Sequence, residues 1–125
     1  MTYSVLVVDD SKLARMSIGR LLDNLRPGWT RLEAANATEA LDCEAREKVD
    51  IALLDYNMPG RDGLTLAAEL HARKPDMPIA IISANMQDEI VARAKSLGAG
   101  FLPKPLTQDV LAAFLDGIAS PVGSG

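Results

Sequence analysis

The chain has 125 residues, the length of one domain, with 48% apolar and 24% charged residues. Its net charge of −4 excludes a phosphate-backbone binder, which needs a basic footprint, and an aromatic share of 4% leaves few rings for stacking on single strands. The single cysteine, Cys43, and single histidine, His71, exclude a disulfide framework or a cysteine- or histidine-built zinc site within one chain.

The elements alternate between strand and helix along the chain. "SVLVVD" (4–9) is a short, β-branched apolar run, as expected for a strand covered on both faces. A helix over 11–25 follows, with Ala14, Ile18, Leu21, Leu22 and Leu25 on one face, and "RPG" (26–28) stops it. "WTRLEAA" (29–35) reads as the second strand. Asn36 is the expected cap of a helix over 37–47, whose thin apolar face is Ala37, Ala40, Leu41 and Ala45. Cys43 reads as a small residue on that helix.

"DIALLD" (50–55) is the third strand and "YNMPGRDG" (56–63) a loop. The third helix runs to about residue 73, carries His71 on its surface, and is stopped by "KPDMP". "IAIIS" (79–83) is the fourth strand. A helix over 86–97 ends at Gly98, and "GFLP" (100–103) is the fifth strand. Thr107 can cap the last helix, where Val110, Leu111, Phe114, Leu115 and Ile118 share a face. "SPVGSG" (120–125) lacks a packing pattern and reads as a disordered tail or linker. No apolar run reaches the roughly 18 residues of a membrane span. The first residues lack the regions of a signal peptide, so a cytoplasmic protein without membrane or direct nucleic-acid binding is expected.

Five strands alternating with five helices imply a doubly wound parallel sheet with helices on both faces. Ligands of such sheets bind beyond the carboxyl ends of the strands. Strand one ends in Asp9 and Asp10, strand three in Asp55, strand four in Ser83 and strand five in Lys104. Taken alone, each has an ordinary explanation. The aspartates and Ser11 can cap the first helix, Ser83 can cap the fourth, Asp55 can sit in a turn, and Lys104 can be solvated. Their placement on one sheet edge is what points to chemistry. At an effective dielectric of about 20, two like charges about 4 Å apart repel by roughly 4 kcal/mol. Either protons are retained or a cation is present. An all-oxygen donor set favours a hard cation such as Mg²⁺.

"VVDDS", "LLDYNMPGRDG", "IISAN" and "PKP" resemble the response-regulator receiver domain of two-component signalling, over about residues 4–119. The resemblance implies a flavodoxin-like α/β fold with strand order 2-1-3-4-5 and five helices, a receiver domain over 1–119, and the tail beyond it. It implies that Asp55 accepts a phosphoryl group. Asp10 would bind Mg²⁺ directly, Asp9 partly through water, and Asp55 and the backbone carbonyl of Asn57 would be further protein ligands. Ser83 and Lys104 would hold phosphoryl oxygens, and the Lys104–Pro105 bond would be cis. Ser83 and Phe101 would form the switch that alters the surface of the fourth helix, fifth strand and fifth helix. The implied donor is a sensor histidine kinase or histidine phosphotransfer protein, with small phosphodonors as an alternative. The downstream protein target is not named by the sequence.

The chain departs from the family's pattern at several positions. Phe101 stands where tyrosine is frequent, so no hydroxyl is offered to a partner. Leu106 stands where phenylalanine is common, and Tyr56 where chemotaxis receivers often carry tryptophan. The last strand and helix lack the acidic pair and arginine that many DNA-binding regulators use to dimerise. A monomer is therefore expected, with dimerisation on phosphorylation as the other state. The domain is read as a signalling receiver rather than an enzyme, catalysing only its own phosphorylation and dephosphorylation. The alternatives are a phosphorelay intermediate, a phosphate sink without conformational output, or a receiver cut from a longer regulator. A metal-dependent phosphatase is disfavoured because Tyr56 and Asn57 follow Asp55 without a DxDx[TV] motif. A flavodoxin-like cofactor binder is disfavoured because Asp9 and Asp10 would repel a flavin phosphate.

Overall fold

The computed structural model describes residues 2–85 and 87–119. Strands β1 (Ser4–Val8), β2 (Thr30–Ala34), β3 (Ile51–Asp55), β4 (Ile79–Ser83) and β5 (Gly100–Pro103) alternate with helices. The helices are α1 (Lys12–Leu25), α2 (Ala37–Arg46), α3 (Gly63–Arg73), α4 (Asp88–Ser96) and α5 (Gln108–Ala119). The strands form one parallel sheet in the order β2-β1-β3-β4-β5. The expected flavodoxin-like arrangement is thus the one observed. The tail expected over 120–125 lies outside the described residues.

The apolar runs of β1, β3 and β4 are continuous because both faces of the sheet are covered. Val5, Val7, Ile51, Leu53, Ala80 and Ile82 point to one side, where Ile18 and Leu22 of α1 and Leu111 and Leu115 of α5 pack on them. Leu6, Val8, Ala52, Leu54, Ile79 and Ile81 point to the other, against α2, α3 and α4. The period-two alternation of a strand therefore sorts its side chains into two cores. Trp29 precedes β2 at the amino-terminal edge of the sheet, stacked edge-on with Tyr3 at 4.9 Å.

Polar side chains set the starts of α1, α2, α3 and α5, whereas α4 has no side-chain cap. Ser11 Oγ accepts from Ala14 N, Asn36 Oδ1 from Glu39 N, Asp62 Oδ1 from Thr65 N, and Thr107 Oγ1 from Val110 N. Glu39 Oε1 reaches back to accept from Ala35 N, satisfying a second backbone donor at the start of α2.

Two expectations change. Helix α4 starts at Asp88, two residues later than expected, and just before it the Gln87 N–H donates to Asn85 Oδ1. Gly98 does terminate it, at φ 73°, with the Ala99 N–H returning to the Ala94 carbonyl. On α2, Ala37, Ala40 and Leu41 face the core as expected, but Cys43 is buried and Ala45 is exposed. At about 100° per residue, position 45 lies well away from the stripe defined by Ala37 and Ala40.

Candidate functional site

The carboxyl edge of the sheet is built by strands that stop at the same level. The Asp9 N–H extends the β1–β2 ladder by one bond, to the Ala34 carbonyl at 3.1 Å. Tyr56 N donates to Ile82 O, and Lys104 N to Ser83 O, so β3, β4 and β5 end in register. The side chains that follow are therefore delivered to one place by the pairing of parallel strands.

Asp9, Asp10 and Asp55 each offer a carboxylate oxygen, and those oxygens all lie within 4.8 Å of one another. Asp9 and Asp55 are buried, whereas Asp10 is exposed. Lys104 Nζ is 2.7 Å from Asp55 Oδ1. No other hydrogen-bond donor among the described residues reaches that buried oxygen. Burial pushes the Asp9 carboxyl above its ordinary pKa; the hydrogen bond from Ser11 N opposes this, and the Asp55 charge adds to it. Burial pulls the Lys104 ammonium down, but its contact with Asp55 and the charges of Asp55, Asp9 and Asp10 leave it above its ordinary value.

The capping explanation for the paired aspartates is met by Ser11, which caps α1 itself. Asp9 contributes by accepting the Ser11 N–H at 2.9 Å. Oxygen-only donors with one under-bonded buried oxygen fit a hard cation such as Mg²⁺. Asn57 lies two residues beyond β3 and is exposed.

Ser83 is at the end of β4 and buried. Its Oγ accepts from Asn85 N at 2.9 Å, which ties it to the turn before α4 rather than to Asp55. Phe101 lies on β5, half-buried against the core beneath α4 and away from the carboxylates. The Lys104–Pro105 bond is cis.

Sequence reasoning passed over two residues. Gly63 opens α3 directly against the end of β3, and a Cβ there would collide with the Asp55 carbonyl oxygen. Its N–H donates to Tyr56 O at 2.9 Å. The glycine following Asp62 in the loop was the available signal. Arg15 donates from Nη1 to the Asp9 carbonyl at 2.6 Å. Its signal was a charge placed on the inward stripe of α1, three residues before Ile18.

A doubly wound sheet with carboxylates and a lysine gathered at its carboxyl edge defines a class of flavodoxin-like α/β domains that work through an acidic edge. The response regulator receiver domain, as a family, matches residues 5–116. The chain belongs to that family, a group of signalling domains of two-component systems that are in general not enzymes.

The chain is 41% identical over 121 residues to the positive alginate biosynthesis regulatory protein of Pseudomonas aeruginosa, covering 94% of this chain and 48% of that protein. It is 35% identical over 116 residues to the response regulator MprA of Mycobacterium tuberculosis, covering 90% of this chain and 49% of that protein. The chain thus spans about half the length of these curated relatives. Among solved structures, the chemotaxis protein CheY4 of Vibrio cholerae superposes with a TM-score of 0.85 at 26% identity, covering 94% of this chain and 99% of that one. A receiver domain protein of Methanospirillum hungatei shares the fold with a TM-score of 0.88 at 24% identity, covering 100% of both chains. Among the described residues no helix is long and apolar enough to cross a membrane.

Proposed function

We propose that Asp55 accepts a phosphoryl group from a phosphohistidine on a sensor kinase or phosphotransfer protein, and that this changes the face formed by α4, β5 and α5. The observation that carries the reading is the Asp55 carboxylate. It is buried to 4% exposure, lies at a sheet edge with two further carboxylates, and has Lys104 2.7 Å from one oxygen. A carboxylate oxygen attacks phosphorus, the O–P bond forms as the P–N bond breaks, and the imidazole nitrogen leaves with the electron pair. Such transfers have loose transition states, so positioning and charge neutralisation supply most of the catalysis. Lys104 holds positive charge at one transferring oxygen. Asp9, Asp10, Asp55 and the Asn57 carbonyl would hold Mg²⁺, which when bound supplies the remaining charge neutralisation. Ser83, leaving Asn85, would donate its hydroxyl to another phosphoryl oxygen.

Support for a protein donor comes from the neighbouring surface. Leu13 is 78% and Met16 40% exposed on α1. An apolar cleft lined by Ala14, Leu21 and Leu106 opens beside Asp9 and Lys104. The domain would act in the cytoplasm, where its donor resides, as a monomer that dimerises at most on phosphorylation.

The experiment is phosphorylation with Mg²⁺ and a small phosphodonor or a cognate kinase, followed by intact-mass measurement. One phosphoryl group is expected on the parent and none on Asp55→Asn, because an amide is a poor nucleophile. Equal, Mg²⁺-dependent labelling of Asp55→Asn would overturn the reading.

A further inference from the structure

The guanidinium of Arg15 is held in place from both sides. Nη1 donates to the Asp9 carbonyl at 2.6 Å, and Nε donates to Glu33 Oε1 at 2.9 Å. The side chain is only 14% exposed although it carries a full charge. Glu33 is itself anchored: its Oε2 lies 3.7 Å from Arg31 Nε, and Arg31 Nη1 reaches Asp23 Oδ2 at 3.1 Å. The chain Arg15–Glu33–Arg31–Asp23 thus braces α1 against edge strand β2. Gly19 makes room for it, since a Cβ at that position would run into the Arg31 guanidinium.

Consider what this does to Asp9. Its N–H is fixed by the ladder bond to Ala34, and its Oδ1 by the Ser11 N–H. Its carbonyl lies beyond the end of β1, where the ladder supplies no donor. Arg15 supplies a charge-assisted bond there, and the planar fork fixes the direction as well as the distance. Lysine could reach the carbonyl or Glu33 but would not reproduce the fork. Because Glu33 pairs the guanidinium, this is orientation rather than added positive charge in the carboxylate cluster.

We infer that Arg15 is a positioning residue for the acidic site, holding the main chain of Asp9 so that Asp9 and Asp10 present their carboxylates to one divalent cation. The inference rests on the metal reading given above. Groups that orient metal ligands typically change affinity by 10- to 100-fold when removed, and one acting through a main-chain carbonyl belongs at the lower end.

The test is a Mg²⁺ titration of the whole chain followed by amide NMR, with thermal unfolding in the absence of metal as a separate reading. Arg15→Gln is expected to weaken Mg²⁺ binding about tenfold while keeping a folded amide spectrum. Arg15→Lys should recover only part of that loss. Glu33→Gln, which loosens the guanidinium without deleting it, should weaken binding by a smaller factor; it also serves if Arg15→Gln does not fold. Asp23→Asn, at the far end of the braced chain, should bind Mg²⁺ like the parent. A generally destabilised protein would unfold earlier, yet its folded fraction would keep the parent's affinity. If folded Arg15 and Glu33 variants bind Mg²⁺ as tightly as the parent, the positioning role is overturned while the site stands. If the parent shows no Mg²⁺-dependent shifts around Asp10, the site reading fails first and takes this inference with it.

Discussion

Lys104, just beyond β5, reaches past the end of β4 to place its ammonium 2.7 Å from Asp55 Oδ1 at the end of β3. The pair spans the carboxyl edge of the sheet. It ties the two strands that phosphorylation would have to inform of each other.

Removing that ammonium should destabilise the metal-free protein, because Asp55 is buried and Oδ1 has no other donor among the described residues. A fully buried pair broken on one side costs about 3–5 kcal/mol; with Lys104 37% exposed and screened by solvent, about 1–2 kcal/mol is expected for Lys104→Ala. The folded-state pKa of Lys104 lies above its ordinary 10.5, so its stabilising contribution is complete below 10.5 and is lost as pH rises through the folded value. Urea unfolding across that alkaline range should show the parent approaching Lys104→Ala. A constant gap between them would contradict the assignment.

Asp9 has the opposite sense. Burial, reinforced by the charge of Asp55, raises its carboxyl pKa, so the folded state holds the proton more tightly than the unfolded chain. The penalty is absent below the ordinary 3.8, grows as pH rises, and is complete above the folded value. Asp9→Asn should therefore stabilise the metal-free protein at neutral pH, and the gain should vanish toward 3.8. A gain of about 1 kcal/mol would raise Tm by about 4 °C at this size. The parent should gain Tm on adding Mg²⁺, by mass action, and the variant much less. Calorimetry with and without Mg²⁺ reads both effects, and equal Mg²⁺ gains would count against Asp9 as a ligand.

At Gly63 the constraint is space. A methyl group there must push α3 away from the Asp55 carbonyl, and backbone cannot yield as a flexible side chain can. Gly63→Ala is expected to cost about 1–3 kcal/mol, as overpacking does. It should also slow phosphorylation of Asp55, because the acceptor's main chain shifts. Stability and labelling rate measured on the same sample test this, and an unchanged rate would separate the glycine from the site.

Ser83 bears on how a phosphoryl group would be felt beyond the site. Its Oγ now accepts from Asn85 N, so engaging a phosphoryl oxygen would alter the turn leading into α4. Phe101 lies beneath that helix and would move with it. A ligand shifts such an equilibrium only through contacts that differ between the two states. Ser83→Ala should stay phosphorylatable on Asp55 while amide shifts induced by beryllofluoride, a phosphoryl mimic, shrink at α4 and β5. Parent shifts confined to the loops around Asp10 and Asp55 would instead favour a phosphorelay intermediate or phosphate sink.

Local pattern carried much of this protein. Short β-branched runs, helix caps and the breaks at Pro27, Pro75 and Gly98 are legible because each depends on residues within a few positions of one another. Strands four and five fall at 79–83 and 100–103 as expected, and Asn36 and Thr107 cap as expected. The gathering of Asp9, Asp10, Asp55 and Lys104 was also readable, since every strand of a parallel sheet points its carboxyl end the same way.

Contacts between distant segments were decided only by the folded chain. Arg15 finds the Asp9 carbonyl through a helix that turns its side chain inward, and Glu33 through strand pairing 18 residues away. Periodicity ranks a position by polarity and so set Arg15 and Gly63 aside, because neither is apolar in the way a buried stripe demands. Ser83 was assigned to the right strand end, but the direction of its hydroxyl depends on the Asn85 turn. Hydrophobic spacing decides which face of an element is buried; hydrogen-bond direction, and the room a Cβ needs, are settled by what packs against that face.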